Sequence, residues 1–107
     1  MVHVEVKLKD DVVKSIEMSG HADYGEHGQD IVCAGASSVV FGNTNAIFQL
    51  TDVEPVLDIN NEGGYFFLEV KEYDQSVNLI LKTMIISLET IEQSYKDYIK
   101  VTKSEVD

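Results

Sequence analysis

The stretch VHVEVKLKDDVVKSIEMS, residues 2–19, predicts the first structural unit of the chain. Its first half alternates apolar and polar side chains, which is the two-residue period of a half-buried β-strand. Asp10 and Asp11 interrupt this alternation as a tight turn. Residues 12–19 then continue as a second strand, with Ile16 and Met18 on the inward side. Two neighbouring strands joined by a short turn predict a β-hairpin.

Two later segments have the patterns of helices. Residues 31–51 are apolar nearly all round, which predicts a central helix that is buried on most faces. Residues 74–100 carry apolar side chains at helical spacing and predict an amphipathic C-terminal helix. The last residues, 102–107, are expected to form a frayed tail.

Two more strands are predicted between the helices, at residues 55–59 and 65–71, around the turn sequence NNEGG. Tyr65 and Phe67 face away from the apolar side of the second of these strands, where they could line a substrate groove or a dimer contact. The predicted order is ββαββα. It corresponds to an α+β fold in which an antiparallel sheet packs against the two helices, with residues 1–107 as a single domain.

Charge and cysteine content narrow the classes of function. The chain has 19 acidic and 8 basic residues and a formal charge of −11, so it should repel nucleic-acid phosphates. Such a surface favours a basic peptide or protein partner, or it serves only for solvation. The N-terminus lacks a secretory pattern, and the weakly polar stretch at residues 31–41 is short for a membrane span. Because the single cysteine, Cys33, cannot form an internal disulfide, we expect a cytoplasmic protein with a free thiol and no membrane association.

One neighbourhood of the sequence holds the candidate chemistry. If Asp30 is the N-cap of the helix at residues 31–51, Cys33 lies in its first turn, where free amides and the helix dipole stabilise a thiolate and an oxyanion. His21 follows the second strand, and an exposed loop of about eleven residues closes readily, which brings a base within reach of the thiol. The structural alternative is an inert packed cysteine, the commoner fate of a lone cysteine in a helix.

The Gly20-His21-Ala22 triplet is followed by GQDIVCAGASSVVFGNTNAI, residues 28–47. In this combination the chain resembles the ribosomal-processing cysteine protease family, Prp. The resemblance implies a catalytic dyad of Cys33 and His21 and a homodimer, and we expect no cofactor and no metal. It further implies that the enzyme removes a short N-terminal extension from the twenty-seventh large-subunit ribosomal protein by cleavage after an aromatic residue, for ribosome maturation.

Three neighbouring residues have supporting roles with alternatives. Gly20 is expected to permit a backbone conformation or a close approach that a side chain would block. Asp30 is either the helix cap, which we favour, or a third catalytic member that orients His21. Ser37, one turn beyond Cys33, either donates to the site or is a satisfied helix hydroxyl.

Two other functions fit the same residues. In the main alternative the protein is a ribosome-assembly factor that binds a ribosomal protein without cutting it. In the second, His21, Asp23 and His27 bind a metal ion for hydrolysis, although their spacing lacks the one-face pattern of a helical metal motif.

Overall fold

The computed structural model describes residues 1–20, 27–60, 62 and 64–107, with side chains from residue 30 onward in the first helix. Within these residues the chain forms two α-helices and a five-stranded sheet of order β3-β4-β2-β1-β5. The elements are β1 Val2–Lys9, β2 Val12–Ser19, α1 His27–Leu50, β3 Val56–Asn60, β4 Tyr65–Glu69, α2 Gln75–Ser94 and β5 Ile99–Glu105. The α+β class predicted from the sequence is confirmed.

The predicted hairpin of β1 and β2 is confirmed and includes one irregularity. The strands pair antiparallel, and the register shifts between Lys7, which is opposite Ser15, and Leu8, which is opposite Val13. Lys14 is therefore the extra residue of a β-bulge. Asp10 and Asp11 both have positive φ, 51° and 68°. This is the backbone that a two-residue hairpin turn requires, because its twist matches that of the strands.

The alternation of the strands separates a buried face from an outer face. Both helices and the inward side chains of the sheet belong to one core cluster. The largest fully buried side chains contributed by the sheet are Phe66, Ile16, Met18, Leu68, Ile99, Val2, Val4 and Val6. The outer face, which points away from this core, carries His3, Glu5, Lys7, Ser15, Glu17, Tyr65, Phe67 and Glu69.

Helix α1 differs from its prediction in both its start and its burial. It begins at His27, four residues earlier than expected. Val32, Ala36 and Val40 are buried along one stripe, whereas Ile31 and Phe48 are 43% and 46% exposed. The prediction of burial on most faces was wrong because α1 lies in the same layer as α2, so the sheet and α2 leave part of its surface to solvent.

Helix α1 is also notable for its length. By length and composition alone the segment Asp30–Leu50 could cross a membrane, whereas the sequence predicted a shorter apolar stretch. In the fold, its buried residues pack in the same cluster as the strands. That is the position of a helix in the helical layer of a two-layer domain, with one side against the sheet.

The C-terminal part of the chain departs most from the prediction. Helix α2 is capped by Asp74, whose Oδ1 accepts from the Val77 amide at 2.9 Å, and it ends at Ser94 instead of continuing to residue 100. Residues 102–105 of the expected frayed tail belong to β5, which pairs in parallel with β1. The order is therefore ββαββαβ and the sheet is mixed, because the open edge of β1 satisfies its backbone groups by pairing with the returning chain.

Candidate active site

Gly20 lies directly after β2, where the chain passes close to its own N-terminus. Its φ is +84°, and a Cβ added there would lie 2.4 Å from the Met1 carbonyl oxygen. Its amide donates to the Gly64 carbonyl at 3.0 Å, which joins the end of β2 to the start of β4. The predicted need for a glycine is confirmed on both grounds, conformation and close approach. The contribution of Gly64, from the turn sequence NNEGG, was missed.

The thiol of Cys33 lies against this same backbone. Its Sγ donates to the Gly20 carbonyl oxygen across 3.8 Å, so α1 and the end of β2 meet at the sulfur. The residue is buried, with 3% of its surface exposed. A sulfur contact of this length contributes little free energy, but it places the candidate nucleophile one residue from the sequence position of His21.

The interpretation of Asp30 as an N-cap was wrong. Because α1 begins at His27, Asp30 lies within its first turn and its side chain is exposed. A carboxylate there is still favoured by the helix dipole. Cys33, however, is the seventh residue of the helix, beyond the four initial amides that lack intrahelical partners. The expected activation of the thiol and an oxyanion by free helix-start amides therefore does not apply.

The remaining predicted site residues are only partly covered by the structure. Ser37 is half-buried one turn after Cys33, and its role stays a prediction. His21 and Asp23 lie outside the described residues, as does the side chain of His27. The dyad geometry and the alternative metal site therefore remain predictions. In the part of the chain that is described, no group of three or more His, Cys, Asp or Glu side chains is placed to hold a metal ion.

Two acidic residues lie close to Tyr65 on the outer face of the sheet. The Tyr65 hydroxyl donates to Glu17 Oε2 at 2.7 Å. This hydrogen bond, then burial, then the negative charges of Glu17 and Asp58 raise the pKa of Tyr65 to about 12. The outward direction of Tyr65 was expected. Its partner was missed because the register places Ser19, and not Glu17, directly opposite Tyr65, so the pair is diagonal across two strands.

Comparison with known proteins gives consistent results. Residues 1–100 match the cysteine protease Prp family. The ribosomal processing cysteine protease Prp of Bacillus subtilis is 50% identical over 95 residues, which are 84% of this chain and 85% of that protein.

Two crystal structures of the essential ribosomal processing protease Prp from S. aureus have the same fold. One, in complex with a substrate peptide, has a TM-score of 0.93 and 40% identity, and covers 97% of this chain and 100% of that chain. The other, in complex with a covalently linked product peptide, has a TM-score of 0.88 and 42% identity at the same coverage. With the family match extending over nearly the whole sequence and the fold shared from end to end, the chain belongs to the cysteine protease Prp family.

Proposed function

We propose that the protein is a cytoplasmic cysteine endopeptidase that removes the N-terminal extension of the twenty-seventh large-subunit ribosomal protein by cleavage after an aromatic residue. In this proposal Cys33 is the nucleophile and His21 is the base. Membership of the Prp family supports the class of reaction. The S. aureus relative, seen with a substrate peptide and with a covalently linked product peptide, supports a peptide substrate and a covalent step.

The contact between the Cys33 thiol and the Gly20 carbonyl is the observation that carries the assignment of the dyad. His21 is covalently bonded to Gly20, and consecutive Cα atoms are about 3.8 Å apart. The backbone on which the candidate base is carried therefore begins beside the sulfur. This proximity supports an imidazole at residue 21 as the base that acts on the thiol.

In the proposed reaction the imidazole of His21 accepts each proton that is removed and later returns it. His21 takes the proton of the Cys33 thiol while Sγ attacks the carbonyl carbon of the scissile peptide bond. The C–N bond then breaks, His21 gives that proton to the leaving amine, and a thioester joins the acyl group to Cys33. Water attacks the thioester with His21 as base, which releases the acid and restores the thiol.

Burial of the sulfur adds a requirement to this reaction. Only 3% of the surface of Cys33 is exposed. A peptide carbonyl therefore reaches Sγ only after the atoms that cover the sulfur are displaced and its hydrogen bond to the Gly20 carbonyl is broken. We infer that substrate binding supplies this local rearrangement. The charge of −11 favours a basic ribosomal protein as the substrate, and we expect the enzyme to act as a homodimer.

The test is the mass of the precursor after incubation with the protein. Cys33→Ala should fold normally and leave the precursor uncut. His21→Ala should slow cleavage by a factor on the order of a hundred to ten thousand, because the general base is lost. His3→Ala is the matched control: this imidazole is exposed on the outer face, and its loss should leave the rate unchanged.

The same experiment separates the non-catalytic alternative. A ribosome-assembly factor would bind the precursor and leave its mass unchanged. Cleavage by Cys33→Ala at the rate of the unaltered protein would contradict the role of Cys33. Equal losses in His21→Ala and His3→Ala would contradict the dyad.

A further inference from the structure

A cavity of about 470 Å³ lies on the outer face, in the half of the sheet remote from Gly20. Its lining includes Lys7 of β1, Lys14 and Ser15 of β2, Phe67 of β4 and Lys71 just beyond β4. Lys14 and Gly20 are separated by six positions along β2, or roughly 20 Å at the usual rise of a strand. The cavity is therefore distinct from the Cys33 site.

The β-bulge of the hairpin brings two of the lysines together. Lys7 is paired with Ser15, and Leu8 with Val13, so Lys14 has no opposite residue in β1. On its other side the Lys14 carbonyl accepts from the Val70 amide at 2.9 Å. A bulge redirects the extra side chain and often serves to aim a residue. Here Lys14 lines the same cavity as Lys7, although the two residues belong to different strands.

The charge of this cavity is opposite to that of the rest of the chain. Three lysines line it with one acidic residue, Glu69, whose carboxylate forms an ion pair with the Lys71 ammonium at 3.3 Å. Over the whole sequence the ratio is reversed, with 8 basic and 19 acidic residues. Ammonium groups that share a cavity repel one another, and an anion bound among them would relieve this repulsion.

The lining also limits the kind of anion. The volume falls within the range of small-molecule sites, and the overall charge disfavours a long nucleic acid. Ser15 is buried to 8% exposure and carries a hydroxyl that can donate to an anion. Phe67 is half-buried and offers an aromatic ring to an apolar group.

We propose that this cavity binds a nucleoside di- or triphosphate, with the phosphates among Lys7, Lys14 and Lys71 and the base against Phe67. This site is separate from the proposed protease function and does not depend on it. Lysine ammonium groups act on phosphates as point charges, so three of them match a chain of two or three phosphates.

The binding of ATP, inorganic tripolyphosphate and adenosine to the full chain, measured by isothermal titration calorimetry at about 0.15 M salt, tests this proposal. ATP should bind more tightly than either of its parts. Lys7→Glu and Lys14→Glu should each weaken ATP binding by about tenfold or more, because each replaces an attraction with a repulsion. Lys96→Glu makes the same change of charge at an exposed position outside the cavity lining and should have no effect.

Phe67→Leu tests the contribution of the aromatic ring to binding separately from that of the lysines. It should weaken ATP binding and leave tripolyphosphate binding unchanged. Circular dichroism establishes that each variant is folded, and Lys7, which is exposed, provides a variant with little effect on packing. Four outcomes would overturn the proposal: no binding at about 1 mM ATP, equal losses in Lys96→Glu and Lys7→Glu, tripolyphosphate binding as tightly as ATP, or a short single-stranded RNA binding more tightly than ATP.

Discussion

Gly20 combines two constraints that no other residue type satisfies together. Its backbone is in the left-handed region, and the Met1 carbonyl oxygen occupies the space where a Cβ would stand. A side chain at this position must therefore move the N-terminal residue of the sheet or the end of β2. Movement of the end of β2 would also displace the Gly20 carbonyl, which accepts from Cys33.

Gly20→Ala is expected to lower the free energy of unfolding by at least about 2 kcal/mol, since left-handed strain and a backbone clash add together. The measurement is urea denaturation followed by circular dichroism. Cleavage of the precursor should fall as well, because the backbone before His21 is displaced.

Gly42→Ala is the matched control within the same chain. A Cβ at Gly42 would have no neighbour within 4 Å, and its backbone is helical. We expect this variant to raise the free energy of unfolding by up to about 1 kcal/mol, because alanine is the better helix former. Equal effects of the two substitutions would contradict the account of Gly20.

The phenol of Tyr65 provides a prediction that can be tested by pH titration. Its pKa is raised from 10.0 to about 12, so the fold favours the neutral phenol. The resulting contribution to stability is fully present below pH 10.0 and is lost as the pH rises toward about 12. Subtracting the ultraviolet titration of Tyr65→Phe from that of the unaltered protein isolates this phenol. Glu17→Gln should lower its midpoint, and an unchanged midpoint would exclude Glu17 as the main cause.

At the scale of elements, β5 is the strand that the sequence did not predict. Ile99 was assigned to the end of the C-terminal helix, yet it is fully buried and lies opposite Val2 in the parallel pair. Further along β5, the Val101 amide donates to Glu92 Oε2 of α2 at 2.8 Å. The strand is thus held by its neighbour in the sheet and by the helix that precedes it.

Ile99→Ala should lower the free energy of unfolding by about 2–4 kcal/mol, because it leaves a cavity in the core. Ile86→Ala makes the same chemical change on α2, where the side chain is 63% exposed, and should cost less than about 0.5 kcal/mol. Chemical denaturation of both variants provides the comparison. A small effect at Ile99 would contradict its burial beside Val2 and the pairing of β5 with β1.

At the scale of the whole molecule, the charge of −11 is confined to a body of 39 × 25 × 20 Å. At about 0.01 M salt the Debye length is about 30 Å, so charges across the molecule repel one another; at about 0.15 M it falls to about 8 Å. Thermal unfolding should therefore have a higher midpoint at the higher salt concentration.

A variant with three exposed carboxylates neutralised, Glu5→Gln, Glu54→Gln and Glu72→Gln, tests the cause. Its midpoint should depend less on salt than that of the unaltered protein. Calorimetry of both proteins at the two salt concentrations provides the measurement. A lower midpoint at high salt would mean that attractive surface pairs such as Lys103 and Glu89, 3.0 Å apart, outweigh the repulsion.

The sequence by itself determined the elements in which apolar and polar side chains recur at the regular period of a strand or a helix. The alternation of Val2, Val4 and Val6 predicts a strand without knowledge of its partners, because each side chain reports its own exposure. The same holds for the apolar stripe of α2. The motif around Cys33 identified the family, since its residue types are tied to a chemistry and not to a fold pattern.

Only the tertiary structure decided which segments meet. The pairing of β5 with β1 joins the two ends of the chain, and local periodicity in residues 99–105 does not specify that partner. The start of α1 at His27 and the contact of Cys33 with Gly20 depend on how the helix lies on the sheet. The meeting of Lys7, Lys14 and Lys71 likewise requires a bulge and two strand pairings. Pairing and packing are non-local interactions, and their energies belong to the assembled fold and not to any single stretch of sequence.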